Sequence, residues 1–269
     1  LNSANAISGA VTFTTNGTSG NVTIDNGTTA LNLGASSIDG SLTATSGNVG
    51  GITDSGTLTV TGGASFATDA NAGVINLGTL ALTGGTLTLN TNGAGTATIV
   101  NTVGIDLAAN TTIGGATSIT ATTGNITDSG TFTVGAGGAT FVTSANNATI
   151  TLGTLAVTGG ITLTTNDDNG TDANATIVNA TAFALGASTV DGNLTATATL
   201  GTITDTGALT VSGTGSFTTA QDNQAITLDV ATNAISGAVT FTTNGTTGNV
   251  TIDNGTTALN LGASSIDGS

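Results

Sequence analysis

Residues 6–41 recur almost letter for letter as residues 234–269, with Ser19 against Thr247 as the one change. Position 6 maps onto position 234, so the period is the offset 228 (234 − 6). A chain that repeats itself on this scale folds as a stack of similar units, each covering the next. Within the period a shorter phrase comes back. Ile52-Thr-Asp-Ser-Gly-Thr-Leu-Thr-Val60 returns as the segment from Ile126 to Val134, and again from Ile203 to Val211. The offsets are 74 (126 − 52) and 77 (203 − 126). The sub-repeat is therefore about 76 residues long, a length that holds several supersecondary units. The segment from Gly34 to Thr45 also matches that from Gly186 to Thr197.

The finest repeat sets the secondary structure. Short runs such as Leu58-Thr-Val60, Ala64-Ser-Phe66 and Val74-Ile-Asn-Leu77 alternate apolar with polar residues. That is the period of a strand with one buried face. No stretch carries sustained helical spacing. Pairs such as Asn16-Gly17, Asn92-Gly93 and Asp191-Gly192 separate the runs, and these residues accept left-handed backbone. Spacing the anchors from Leu31 to Leu259 in nine steps gives about 25 residues per step, each holding three short strands.

The expected fold is therefore all-β: a right-handed parallel β-helix, or β-solenoid. It should have three strands per rung, about 25 residues per rung and 10–11 rungs. Residues 1–269 read as a single solenoid, an excerpt of a longer tandem array. One inward ladder should contain Phe13, Leu42, Phe66, Leu87, Ile119, Phe141, Leu163, Leu194, Phe217 and Phe241. Another should contain Ile24, Ile52, Ile75, Ile99, Ile126, Ile150, Ile177, Ile203, Ile226 and Ile252. Thr and Ser, at Thr43, Ser65, Thr88, Thr195, Ser216 and Thr240 among others, should line the outside.

Composition narrows the function. The chain has no Lys, Arg, His, Cys, Met, Pro, Trp or Tyr, and its net charge of −15 comes from Asp alone. Without basic residues it has no footprint for nucleic acid or anionic lipid. Without His and Cys it has no zinc or haem ligands and no hydrolytic triad. No apolar run is long enough for a helical membrane span. Asp54, Asp128 and Asp205 hold equivalent places in successive sub-repeats, about three rungs apart, too far for a paired-carboxylate hydrolase. The expectation is a chain without enzymatic activity or a required cofactor.

The densest acidic stretch, from Asn166 to Asp172, offers Asp167, Asp168, Asn169 and Asp172 as a weak calcium candidate. Thirteen Asn-x-Ser/Thr sequons occur, including Asn16, Asn21, Asn110, Asn125, Asn193 and Asn249. Threonine ladders also raise an ice-binding solenoid as an alternative. The alternation of Thr59, Ala81, Asp106, Thr133 and Ala156 along one face argues against it.

The phrases GNITDSGTFTV (124–134), LGASTVDGNLTAT (185–197) and ALTVSGTGSFTT (208–219) resemble the repeat region of filamentous-haemagglutinin-like adhesins, large bacterial exoproteins of two-partner secretion. The resemblance runs over essentially the whole chain. It implies a right-handed β-helical shaft, secretion to the cell surface and an adhesive or structural role, and it assigns no functional residue. Expected partners are flanking repeats of the same protein, or identical copies end to end in a self-assembling fibre. A host or neighbouring-cell surface is the other expected partner.

Overall fold

In a computed structural model the protein is described at residues 1–269 except Thr18, Asn169 and Thr171. The described residues form strands and turns, with no helix. The chain divides into two compact units, Leu1–Gly137 and Gly138–Ser269. Each is a parallel β-solenoid, and together they make about 11 turns.

In the amino-terminal unit every turn visits two sheets. One sheet stacks Ala10–Val11, Leu31–Leu33, Ile52–Asp54, Ile75–Leu82, Ala97–Asn101 and Thr117–Ala121 in that order. The short strands Ser36–Ile38 and Leu58–Val60 pair alongside them. The other sheet stacks Val22–Asp25, Leu42–Ser46, Ala64–Asn71, Leu87–Asn92, Ile105–Leu107 and Ile126–Asp128. Thr111–Ile113 and Phe132–Val134 flank its last two turns. These pairings are all parallel, as expected where successive strands are joined by a full circuit of the coil.

The carboxy-terminal unit is built the same way. Ala139–Asn146, Gly160–Asn166, Phe183–Leu185, Ile203–Asp205, Ile226–Leu228 and Val250–Ile252 stack in one sheet. Ile150–Val157, Ala175–Asn179, Leu194–Ala198, Gly215–Asp222, Ala238–Asn244 and Asn260–Leu261 stack in the other.

Most turns of the coil are shorter than the spacing anticipated from the sequence. Leu31 pairs with Ile52, an offset of 21, and Ala97 with Thr117, an offset of 20. Among the described pairings, offsets run from 19 (Ala175 to Leu194) to 25 (Ile150 to Ala175, and Thr164 to Thr189). The anchors behind the sequence spacing do not all belong to one sheet, and several steps overrun a turn: Leu31 pairs with Ile52, but the next anchor is Leu58.

The same fact reorders the ladders. Ile52, Ile75 and Ile99 belong to one sheet of the amino-terminal unit, whereas Ile24 and Ile126 belong to the other. Leu42, Phe66 and Leu87 share a sheet, and Ile119 lies in the opposite one. From Ile52 the stack passes Ile75 and Ala97 to Thr117, which completes three turns. The repeated phrase restarts shortly after, at Ile126 on the opposite sheet. The sub-repeat is thus about three and a half turns, and each copy of the phrase is displaced by half a turn.

Alternation along the strands does set the core. Leu31, Leu33, Ile38, Leu58, Val60, Phe66, Phe132, Phe141 and Phe217 are fully enclosed. Burying each such side chain contributes on the order of 1.5–3 kcal/mol. Phe217 and Phe241 stack on successive turns with ring centroids 5.9 Å apart and planes at 24°, an arrangement aromatic pairs favour. The expected outer ladder is present as paired neighbours: Thr43 with Ser65 and Ser65 with Thr88, then Thr195 with Ser216 and Ser216 with Thr240.

Candidate functional site

The polar residues that the repeats reuse are employed in holding turns together. Where Ile75–Leu82 faces Ala97–Asn101, the register slips: Leu77 pairs with Ile99, but Leu80 pairs with Asn101. Gly78 and Thr79 therefore face a single residue, Val100, across the ladder, a β-bulge. Their N–H groups turn to the preceding turn instead. Gly78 N donates to Asp54 Oδ1 at 2.9 Å, and Thr79 N and Oγ1 donate to Asp54 Oδ2 at 2.7 and 2.8 Å.

From the following turn comes Asn101, which is fully buried. Its Oδ1 accepts from Leu82 N at 2.8 Å. Its Nδ2 donates to the carbonyls of Leu82, Val103 and Gly104 at 3.3, 3.2 and 3.1 Å. An amide offers both a donor and an acceptor, so it replaces the ladder bonds that the bulge removes.

The arrangement recurs. Asn26 accepts from Ile7 N at 2.9 Å and donates to Ile7 O at 2.9 Å. Asn179 does the same with Val157, at 2.8 and 2.9 Å, and Asn254 with Ile235, at 2.8 and 3.1 Å. The four positions follow one another at offsets of 75, 78 and 75 (101 − 26, 179 − 101, 254 − 179), one clamp to each sub-repeat. Sequence reasoning passed over them. The signal was present as Val-Thr-Ile-Asp-Asn and Ala-Thr-Ile-Val-Asn, each twice, with the Asn ending a strand where a turn residue was expected.

Asp205 is the buried counterpart of Asp54. It accepts from Asp229 N at 3.0 Å, Val230 N at 3.3 Å and Asn233 Nδ2 at 2.6 Å. Asn233 Oδ1 in turn accepts from Leu209 N at 2.8 Å. Asp54 and Asp128 lie in opposite sheets of one unit, so the repeat does not set their carboxylates side by side. Asp54 and Asp205 hold backbone.

The weak calcium candidate has a comparable explanation. Asp168 Oδ2 accepts from Asn146 Nδ2 at 2.7 Å, one turn back. Asp167 Oδ2 accepts from Asp172 N at 3.1 Å, and Asp167 N donates to Asp191 Oδ2 at 3.2 Å. Asn169 lies outside the described residues. Among the described residues no group of three or more His, Cys, Asp or Glu is placed to hold a metal ion.

Of the sequon asparagines, Asn26 and Asn179 are fully buried and Asn254 nearly so, all engaged in the clamps. Asn16, Asn21, Asn110, Asn125 and Asn249 are exposed, and Asn193 is half-buried. No helix among the described residues is long and apolar enough to cross a membrane.

A family described as "Repeats of unknown function (DUF5649)" matches residues 19–79 and 172–242. Each matched stretch carries one clamp and one carboxylate that accepts from backbone N–H groups of the next turn: Asn26 with Asp54, and Asn179 with Asp205. No curated protein and no solved structure matches this chain.

Proposed function

We propose that this chain is a stretch of a structural shaft or filament in a large, repetitive, secreted cell-surface protein of the adhesin type. Its work is mechanical and spatial, without catalysis. In this reading the coil is right-handed, the usual hand for parallel crossovers. Its turns are built from three strand segments: one longer strand and two short ones set at a bend. The observation that carries the reading is the use of polar residues. Asp54, Asp205 and the four clamp asparagines all bind backbone of a neighbouring turn, so what the repeats preserve is stacking.

The acidic, base-free composition suits a surface exposed outside the cell, where like charges keep neighbouring shafts apart. Electron microscopy of the native material, with an antibody to this segment, tests the proposal. Labelled stalks on the outside of cells are expected. Label confined to the cell interior overturns it.

A fibre of copies joined end to end is the second reading. Turns that stack on one another within the chain, as Leu31–Leu33 does on Ile52–Asp54, can stack in the same way between copies. Purified protein lengthening into continuous fibres favours this reading over the stalk.

A further inference from the structure

An asparagine followed by glycine carries its own chemistry. The glycine nitrogen, once it loses its proton, can attack the amide carbon of the asparagine side chain, and glycine has no side chain to obstruct it. The described residues include Asn16-Gly17, Asn26-Gly27, Asn92-Gly93, Asn244-Gly245 and Asn254-Gly255. As dipeptides they are identical, and the fold sorts them.

Asn26 and Asn254 are held at both reacting groups. Their amides are clamps, bonded to Ile7 and to Ile235 inside the coil. The N–H that would attack is also engaged: Gly27 N donates to Asp25 Oδ1 and Gly255 N to Asp253 Oδ1, each at 2.8 Å. At Asn16 the attacking group is held, because Gly17 N donates to Asp39 Oδ2 at 3.0 Å. At Asn244 the amide is held: it is half-buried and donates to the carbonyls of Thr219 and Ala220 at 3.2 and 3.1 Å.

Asn92-Gly93 escapes these restraints. Both residues are exposed. Asn92 Nδ2 donates to Asp69 O at 2.8 Å, at the surface of the preceding turn. Among the described residues no oxygen accepts from Gly93 N. Asn92 O accepts from Ala72 N at 3.0 Å and from Gly95 N at 3.1 Å. Two fixed donors on this oxygen stabilise the negative charge that spreads onto it when Gly93 N is deprotonated.

We infer that Asn92 is a self-modification site, where water converts the amide to a carboxylate without an enzyme. Gly93 N loses its proton to solvent base and bonds to Asn92 Cγ. The Cγ–Nδ2 bond breaks, the nitrogen leaves as ammonia, and a five-membered imide closes. Water then opens the imide at either carbonyl. One opening yields aspartate. The other yields isoaspartate, in which the main chain runs through the former side chain and is longer by one methylene. Either product loses the donor to Asp69 O and sets a negative charge against that carbonyl. Asn92 closes the strand Leu87–Asn92 against Ala64–Asn71, so the conversion loosens the stacking of these two turns as the protein ages.

The test is a timed incubation of the whole chain at mildly alkaline pH, folded and in urea, followed by digestion before Asp and mass spectrometry. This cleavage puts Asn16, Asn26, Asn92, Asn244 and Asn254 in separate peptides. A new cut at position 92 reports aspartate, and an uncut peptide with the mass of the acid reports isoaspartate. In urea all five pairs should convert at similar rates. In the folded protein Asn92 should convert within about tenfold of its urea rate. Asn26 and Asn254 should be slowed far more, since an enclosed amide reacts only when the fold opens around it. Asn92→Gln, whose imide would need a less favourable six-membered ring, should leave its peptide unchanged. Protection of Asn92 equal to that of Asn26 overturns the inference, as does an unaltered mass gain in the folded Asn92→Gln variant. Hydrogen exchange at Ala72 N should quicken in the converted protein, and unchanged exchange there overturns the loosening.

Discussion

Ala72 holds a left-handed backbone conformation, φ 61°. It closes the turn in which Thr68 Oγ1 donates to Gly73 O at 3.2 Å. The same turn recurs at Asn147 and Asn223, with φ 62° and 63°. There Thr143 donates to Ala148 O and Thr219 to Gln224 O. Asn tolerates this conformation better than Ala. Ala72→Asn should therefore stabilise the protein by about 0.5–1 kcal/mol, read as a higher urea midpoint.

The clamp asparagines should respond in the opposite sense. Asn101→Leu keeps the volume but strands Leu82 N and three carbonyls in the core. The expected loss is about 3 kcal/mol or more. Asn101→Asp should also destabilise, because a carboxylate cannot donate to those carbonyls. A melting temperature unchanged in both variants would remove the clamp from the account of stability.

At the scale of strands and turns, the two backbone-holding carboxylates give a graded prediction. Asp54→Ala exposes N–H groups that water can reach, and should cost about 1 kcal/mol. Asp205→Ala leaves Asp229 N, Val230 N and the buried Asn233 amide without their acceptor, and should cost about 2–3 kcal/mol. Hydrogen exchange would localise the effect: protection should fall first at Gly78 and Thr79 in one variant, and at Asp229 and Val230 in the other.

How much of this was legible beforehand follows from what each residue does. Alternation in Leu58-Thr-Val60 or Ala64-Ser-Phe66 reports burial directly, because side chains on a strand must point to opposite faces. Parallel stacking followed from the repeats. The register between turns did not, because Ile52 and Ile126 carry the same phrase yet join different sheets. Identity of sequence marks identical local structure, and it says nothing of position around the coil when the repeat is not a whole number of turns. The clamps were hidden for a related reason. Asn26-Gly27 reads as a turn dipeptide, and only the neighbouring turn shows that the Asn26 side chain points back into the core.

Across the whole molecule, fifteen like charges act with no opposing charge. Repulsion among them favours the expanded chain, and salt screens it. The melting temperature should rise as sodium chloride increases from about 10 mM to 150 mM, the range over which the screening length falls most. A melting temperature flat or falling over that range would show that the Asp side chains are too well spaced to interact.

The sub-repeat also makes a prediction about length. Removing residues 52–125 brings Ile126 into the place of Ile52 and keeps every local pairing rule. That variant should fold and melt cooperatively. Removing residues 52–115 instead joins Gly51 to Ala116 and seats Thr117, which stands three turns after Ile52, one residue out of register. It should lose cooperative melting, because a slip in register turns apolar side chains outward.

A change in the number of sub-repeats, by deletion or duplication, would alter more than the length of the coil. In this protein the outcome of such an event has parity. Adding or losing one sub-repeat of three and a half turns keeps the coil intact, and moves every later residue to the opposite flank. Adding or losing two returns each residue to its original side. Copy number would therefore set more than length: variants with odd and even numbers of sub-repeats would present every later residue on opposite flanks of the coil.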